Sequence, residues 1–169
     1  YIAASDELFC YDKNFKLKNS FKNRYLKHAH EICRMEKRIF ISSTGFDSLL
    51  SFDLESKKFD WGYQLRKEFN QWTGGVFDPR KPVGPRPVND FHINMVHVDN
   101  DGIFLSGLRT EGLLYLSPKN TIELVCELPS GTHNPRLWEN GIIFNDTVSD
   151  CLRFAPREGE EIAFKIITY

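Results

Sequence analysis

Apolar and polar residues alternate along most of this chain, in short runs separated by polar turns. A period of two residues is typical of β-strands that bury one face. The dipeptides Asp101-Gly102 and Asn140-Gly141 suit tight hairpins, because their residues tolerate positive φ. No segment keeps the 3.6-residue period of an amphipathic helix. The pattern therefore predicts an all-β protein.

The alternating runs recur as a larger unit that begins with a histidine. Each of three copies has a histidine (His30, His92, His133), then an apolar segment with an aromatic residue (Phe40, Phe104, Phe144), then one with a leucine (Leu50, Leu114, Leu152). The second and third histidines lie about 40 residues apart, the length of a four-stranded propeller blade. The first interval is longer by about 20 residues, and the excess falls in residues 69–89.

The repeat predicts one β-propeller domain with about three full blades and a partial one. The predicted parts are a partial N-terminal blade without its innermost strand at 1–24, blades at 25–68, 90–130 and 131–169, and an inserted rim loop at 69–89. The outermost strand of the last blade is predicted at 162–169. Propellers usually close with four to eight blades. The arc is therefore expected either to belong to a longer propeller or to close as a homo-oligomer.

Composition narrows the classes of partner and compartment. With 22 basic and 23 acidic residues, the chain offers no electrostatic case for nucleic acid. No run of 18 apolar residues indicates a membrane span, so no membrane partner is expected. The four cysteines show no C-x-x-C spacing and are predicted to be reduced, buried thiols. A cytoplasmic location is expected, unless a signal lies upstream of this sequence.

The candidate site follows from the alternating direction of strands within a blade. The start of each innermost strand, the turn between the second and third strands, and the end of the outermost strand should lie on one face. The predicted ligand-binding residues meet at this mouth of the central channel: His30, His92, Asn94, His133, Asn134, Arg136, Arg109 and Trp72. Polar groups that converge on a rigid scaffold are the usual place for a ligand.

The residue types at this mouth suggest metal-assisted chemistry. The imidazoles of His30, His92 and His133 could hold a divalent ion such as zinc and leave a position open for water. Oxygen ligands from Asn94, Asn134 and Asp146 would suit calcium instead. Glu31 and Asp146 are the candidate general bases. A small polar ligand is the expected partner, and hydrolysis or elimination by a lyase is the expected reaction class.

An interaction module is the alternative prediction. The same face would then bind a protein, and the histidines would hydrogen-bond neighbouring blades. Arg136 could likewise form a salt bridge with Glu139 or with the adjacent blade. Interaction propellers of the tryptophan-aspartate type carry a Trp-Asp pair in each blade, whereas this chain has only the reversed pair Asp60-Trp61. That difference and the rim loop favour a small-molecule site.

The histidine motifs also resemble those of a poorly characterised family of bacterial conserved hypothetical proteins with propeller-like sequences. The matching segments are His30-Glu31, His92-Ile93-Asn94 and His133-Asn134-Pro135-Arg136, and the resemblance spans roughly residues 25–160. The first motif has Glu31 where aspartate is common in the family, and the third lacks the usual spacer after histidine. The resemblance implies a propeller fold and a role for the three histidines, and it implies no particular activity.

Overall fold

Sixteen β-strands dominate residues 1–165, the part of the chain that the computed structural model describes. They form four antiparallel sheets, and the helical structure in that range is the 3-10 turn Thr44–Phe46. The molecule is therefore an all-β partial β-propeller, and the predicted fold class is confirmed. No helix within the described range is long and apolar enough to cross a membrane.

Each sheet has its strands in sequence order. The N-terminal sheet contains β1 (Ile2–Ala4), β2 (Glu7–Tyr11) and β3 (Leu17–Lys22). Blade 1 contains β4 (Ala29–Met35), β5 (Arg38–Ser43), β6 (Ser48–Asp53), β7 (Lys58–Glu68) and β8 (Gln71–Phe77). Blade 2 contains β9 (Ile93–Val98), β10 (Ile103–Gly107), β11 (Gly112–Leu116) and β12 (Ile122–Glu127). Blade 3 contains β13 (Thr132–Trp138), β14 (Gly141–Asp146), β15 (Cys151–Pro156) and β16 (Ile162–Lys165). The strand predicted at 162–169 lies outside the described residues beyond position 165.

The innermost strands of successive blades adjoin one another. Strand β4 contacts β9, and β9 contacts β13. The second strand of each blade also contacts the first strand of the next, as β5 does with β9 and β10 with β13. Strand β1 contacts β4 in the same way, so β1 takes the position of a second strand in the N-terminal sheet.

Apolar clusters fill the spaces between sheets because neighbouring residues of a strand point to opposite faces. Leu50 and Phe52 of β6 pack in the cluster between the N-terminal sheet and blade 1. Leu49 packs on the other side, against Ile93 and Leu114 of blade 2. A third cluster, with Phe144, joins blades 2 and 3. All of these side chains are almost fully buried, and each contributes about 1.5–3 kcal/mol by leaving water.

The inserted segment is only partly a loop. Residues 71–77 form β8, a fifth strand paired with the end of β7, where the sequence predicts irregular structure. Gly74 lies in this strand and not in a bend. Glycine is needed there because the neighbouring side chain is too close for any other residue: an added Cβ would lie 2.5 Å from the Tyr63 hydroxyl. The prolines follow in a connection from 78 to 92, where Tyr25 donates a hydrogen bond to the Lys81 carbonyl (3.0 Å).

Candidate functional site

Four imidazoles converge where the innermost strands of the three blades begin. His28 and His30 come from blade 1, His92 precedes β9 in blade 2, and His133 lies in β13 of blade 3. The rings of His30 and His92 are 5.0 Å apart and meet edge to face at 71°. We call these four residues the imidazole cluster. His28 was not predicted, although it stands two residues before His30 in the sequence.

A β-bulge interrupts each innermost strand at its site residues. The pairing of β4 with β5 shifts between Ala29 and Ile32, which leaves His30 and Glu31 out of register. Asn94 is the extra residue in β9, and Asn134-Pro135 are extra in β13. A bulge re-aims the side chains of the residues it leaves unpaired. In all three blades the bulges therefore change the direction of polar side chains from the one that strict strand alternation would give. The period of the sequence pattern does not reveal this change.

Hydrogen bonds determine which nitrogen of His30 carries the proton. Its Nδ1 lies 2.9 Å from the His28 carbonyl and 2.8 Å from Oγ1 of the fully buried Thr44. Thr44 donates its own hydrogen to the Ile93 carbonyl, so its oxygen can only accept from His30. The proton of a neutral His30 therefore sits on Nδ1, and Nε2 is left as an acceptor.

Asn94 connects the cluster to blade 3. Its side chain is 3% exposed, and its Nδ2 donates to Nδ1 of His133 at 3.1 Å. This places the proton of a neutral His133 on Nε2, as a donor. Asn94 Oδ1 is buried and has no hydrogen-bond partner among residues 1–165. Buried acceptors are nearly always satisfied, so this oxygen lacks a partner that such a group normally has.

A buried carboxylate that the sequence analysis did not identify holds the backbone of His92. Asp47 is fully buried and accepts the N–H groups of Asp90 (2.6 Å), Phe91 (3.1 Å) and His92 (3.0 Å). Burial raises the pKa of the Asp47 carboxyl, and these hydrogen bonds oppose that shift only in part. Asp47 follows the polar turn at residues 43–45, which was the available clue.

Positive neighbours surround the His92 ring. Burial is the largest cause that lowers the pKa of His92, followed by the charges of His30, Arg109, His133 and His28. The imidazole is therefore neutral at pH 7. A negative charge that entered the cluster would oppose this shift and favour protonation of His92.

Arg109 and Lys27 add cationic groups at the rim of the cluster. Arg109 is exposed, and its Nε donates to the Asp90 carbonyl at 2.7 Å, which ties it to the segment before His92. Lys27 and His28 line a cavity of about 280 Å³ together with Asn89. The structure thus brings the predicted Arg109 to the same mouth and adds Lys27, which sequence reasoning did not single out.

Glu31 and Arg136 form an ion pair across the innermost strands. Arg136 donates to Oε1 of Glu31, while Oε2 accepts the N–H of Val96 at 2.9 Å. One carboxylate thereby joins β4, β9 and β13. Both oxygens of the predicted general base are engaged with protein groups. Arg136 pairs with Glu31 of blade 1, whereas the sequence offered Glu139 or the adjacent blade as its possible partners.

Asp146 also serves a local contact. Its carboxylate accepts the N–H groups of Val148 (3.1 Å) and Ser149 (3.0 Å) and pairs with Arg153 at 2.7 Å. Burial alone would raise its pKa, but the Ser149 hydrogen bonds and the Arg153 charge more than offset this and lower the pKa. This second predicted base stabilises the turn between β14 and β15.

Two other predicted residues lie at the edge of the arrangement. Trp72 belongs to the outermost strand β8, packs edge to face on Phe91 at 5.0 Å, and lies under the Lys67 ammonium at 4.8 Å. Asn134 is exposed in the β13 bulge and has a positive φ of 49°. Trp72 thus lies on the outermost strand of blade 1, away from the central channel, whereas Asn134 directly follows His133 of the imidazole cluster.

The donors fit a divalent ion in part. The Nδ1–H of His30 points to a carbonyl, which is the usual second contact of a metal-binding histidine, and Nε2 remains available. Within residues 1–165, however, no three His, Cys, Asp or Glu side chains are grouped closely enough to hold a metal ion. Any ion at this mouth would have few protein ligands.

Comparisons with known proteins assign this chain to no family. The chain matches no protein-family model and no curated protein. A solved structure of streptogramin B lyase is similar over 82% of this chain and 54% of its own, at 12% identity and a TM-score of 0.44. The chain thus spans about half the length of that structure. The histidine motifs and the bacterial family they resemble remain sequence-based predictions.

Proposed function

We propose that this β-propeller domain binds a small anionic molecule, with a carboxylate or phosphate group, at the imidazole cluster. The observation that carries the proposal is the convergence of imidazoles from three blades at one mouth. Arg109 and Lys27 border the cluster, and the nearby Asp47 carboxylate is fully occupied by backbone N–H groups. An incoming anion would therefore meet donors and cations.

Two histidines of the imidazole cluster and the neighbouring Asn94 have defined parts in this proposal. Nε2 of His133 is a hydrogen-bond donor, since Asn94 donates to its Nδ1. Burial and neighbouring charges lower the pKa of His92, which is therefore neutral at pH 7 in the free protein. It takes up a proton as the anion binds, because the negative charge of the anion opposes both effects. The buried Asn94 Oδ1 accepts a hydroxyl or protonated oxygen of the ligand. The expected ligand is thus an anion that also bears an O–H group, such as a hydroxy acid or hydrogen phosphate.

A divalent metal is the second candidate for the same mouth. It is favoured by the Nδ1–H of His30 donating to a carbonyl, which leaves Nε2 unprotonated at the ring that packs on His92. His30 and His92 would then be its protein ligands, with His133 as a third only after rearrangement. Zinc suits these nitrogens better than calcium does.

Binding is proposed here ahead of catalysis. The carboxylates predicted as bases, Glu31 and Asp146, both hold protein groups. The hydrolase or lyase reaction class remains a prediction. The interaction-module alternative also remains, with the imidazoles serving blade-to-blade contacts such as those of His30 with Thr44.

Calorimetric titration with sodium phosphate between pH 6 and 8 tests the proposal on tag-free protein. We expect affinity to rise as the pH falls, because His92 must be protonated, and His92→Asn to lower affinity by at least about tenfold. Asparagine tolerates the positive φ of 55° at this position. The matched control is His97→Asn, since His97 lies outside the cluster and beside Asp99 (3.8 Å).

Each outcome separates the alternatives. Equal affinity in both variants, or no phosphate binding at any pH, refutes the anion site. Elemental analysis of the same preparation tests the metal: stoichiometric zinc that is lost in His92→Asn supports the second candidate. Metal-free protein without phosphate binding leaves the interaction module as the working hypothesis.

A further inference from the structure

A larger cavity lies on the opposite face of the propeller, between blades 1 and 2. Its volume is about 470 Å³, and its rim includes Gly102, Ser117 and Asn120. These residues belong to the turns that join first to second and third to fourth strands, whereas the imidazole cluster lies at the other ends of the strands. We call it the basal cavity. Its volume falls within the range of small-molecule sites, about 300–1,000 Å³.

The walls of the basal cavity are aromatic and aliphatic. Phe40 and Trp61 come from blade 1, and Ile103 and Leu116 come from blade 2. Trp61 packs edge to face on Phe40 at 6.2 Å and nearly parallel to Tyr63 at 6.3 Å. These contacts hold the indole in one orientation, so the wall is formed before any ligand arrives.

A row of polar groups crosses blade 1 at one end of the cavity. The Arg38 guanidinium binds both oxygens of Asp60, at 2.7 and 2.8 Å, and also donates to Ser51 at 2.8 Å. Two of the five N–H groups of Arg38 have no partner within residues 1–165. The pair is electrically balanced and still offers a donor beside an acceptor.

A β-bulge places this polar row next to the aromatic wall. The pairing of β6 with β7 shifts between Ser51 and Phe52, so that Ser51 faces Trp61 and Phe52 faces Phe59. Asp60 is the extra residue, which lets Asp60 and Trp61 line the same cavity instead of pointing to opposite faces. Arg38 and Asp60 both line the cavity and keep part of their side-chain surface exposed, so a ligand in the cavity would contact the pair.

We propose that the basal cavity binds a small, uncharged, planar aromatic molecule that carries a hydrogen-bond donor on one edge. The ring packs on Trp61 and Phe40, and the donor meets the Asp60 carboxylate beside Arg38. A net charge on the ligand is disfavoured because the paired side chains leave no uncompensated charge to receive it. This site is separate from the imidazole cluster and does not rest on the function proposed above.

The proposal is tested by NMR titration of ¹⁵N-labelled protein with indole and with indole-3-acetate. Indole should shift the Trp61 ring N–H and the amides of Val98 and Ile103 in a saturable way, while the His92 amide stays in place. Indole-3-acetate should bind more weakly. Trp61→Leu should reduce indole affinity by at least about tenfold, whereas Trp72→Leu, in the outer strand of the same blade, should not.

A second variant keeps the test decisive if Trp61→Leu does not fold. Asp60→Asn has the same size and leaves the Arg38 charge uncompensated, so it should reverse the preference in favour of indole-3-acetate. The proposal is overturned by unsaturable shifts, by shifts centred on His92, or by an unchanged ligand preference in Asp60→Asn. Equal losses in the Trp61 and Trp72 variants overturn it as well.

Discussion

Replacing Asp47 with alanine should destabilise the protein through the backbone that it holds. The N–H of Asp90 lies at an exposed residue and gains water when the carboxylate is lost. The N–H groups of Phe91 and His92 lie at partly buried residues and would be left without an acceptor. Each buried unsatisfied group costs about 1–3 kcal/mol, so we expect the two together to lower the free energy of unfolding by about 2–6 kcal/mol.

Asp47→Asn separates the carboxylate from the backbone conformation. Asparagine tolerates the φ of 44° and retains one acceptor oxygen, and it also avoids the cost of burying a charge, which raises the pKa of Asp47. We expect a smaller loss, about 1–3 kcal/mol. Urea denaturation measures both variants, and hydrogen exchange shows whether the amides of Phe91 and His92 lose protection.

The matched control is Asp53→Ala. Asp53 also accepts backbone N–H groups, from Glu55 (3.1 Å) and Ser56 (2.6 Å), but in an exposed turn where water replaces it. Asp53→Ala should therefore lower the free energy of unfolding clearly less than Asp47→Ala does. An Asp47→Ala protein within about 0.5 kcal/mol of the parent, with both amides still protected, would refute the reasoning.

Three further predictions follow from other contacts. The pKa of His92 is lowered from 6.5, so its contribution to stability is present above pH 6.5 and is lost as the pH falls through the folded-state pKa. The melting temperature of His92→Asn should therefore depend less on acid pH than that of the parent protein. Parallel curves of melting temperature against pH would contradict this. Glu31→Gln and Arg136→Met should show a coupling of about 1–3 kcal/mol in a double-mutant cycle measured by denaturation, and additive losses would mean that the pair is dispensable. Gly74→Ala should lower the free energy of unfolding by about 1–3 kcal/mol and expose β8 amides to exchange, because its Cβ would clash with the Gln64 carbonyl oxygen. A Cβ added at Gly75 meets nothing within 4 Å, so Gly75→Ala should be tolerated.

The strands could be predicted because their alternation is local. The segments around Phe40, Phe104 and Phe144 show period-two patterns bounded by turn residues, and all three became second strands of blades. The 69–89 insertion was only partly predicted. Glycine is typical of bends, but Gly74 lies in a strand where neighbouring atoms leave no room for a side chain. Glycine indicates that space is limited or that φ is unusual, and sequence alone does not distinguish the two.

The site itself depends on β-bulges and on contacts between distant residues, which the alternation of apolar and polar residues does not reveal. The convergence of His30 and His92 followed from the repeat and from strand direction, and the structure places their rings 5.0 Å apart. The bulges that aim Asn94 and Asp60 were not visible, because a single extra residue does not alter a short hydrophobic pattern. Asp47 could not be assigned a role either, since its partners lie more than 40 residues away.

Blades 1 and 2 share a backbone hydrogen bond in the turn after their second strand, and blade 1 adds side-chain contacts from the same turn. Asp47 and Glu111 occupy equivalent positions after the second strand of their blades, with φ of 44° and 51°. The Asp47 carbonyl accepts the N–H of Leu65 at 2.9 Å, and the Glu111 carbonyl accepts the N–H of Leu128 at 3.0 Å. Only the first of these two turns is followed by the long connection 78–92. A short connection positions its histidine through chain geometry alone, whereas a long one needs an anchor. The Asp47 carboxylate is that anchor, so the orientation of His92 depends on a residue that cannot itself touch a ligand.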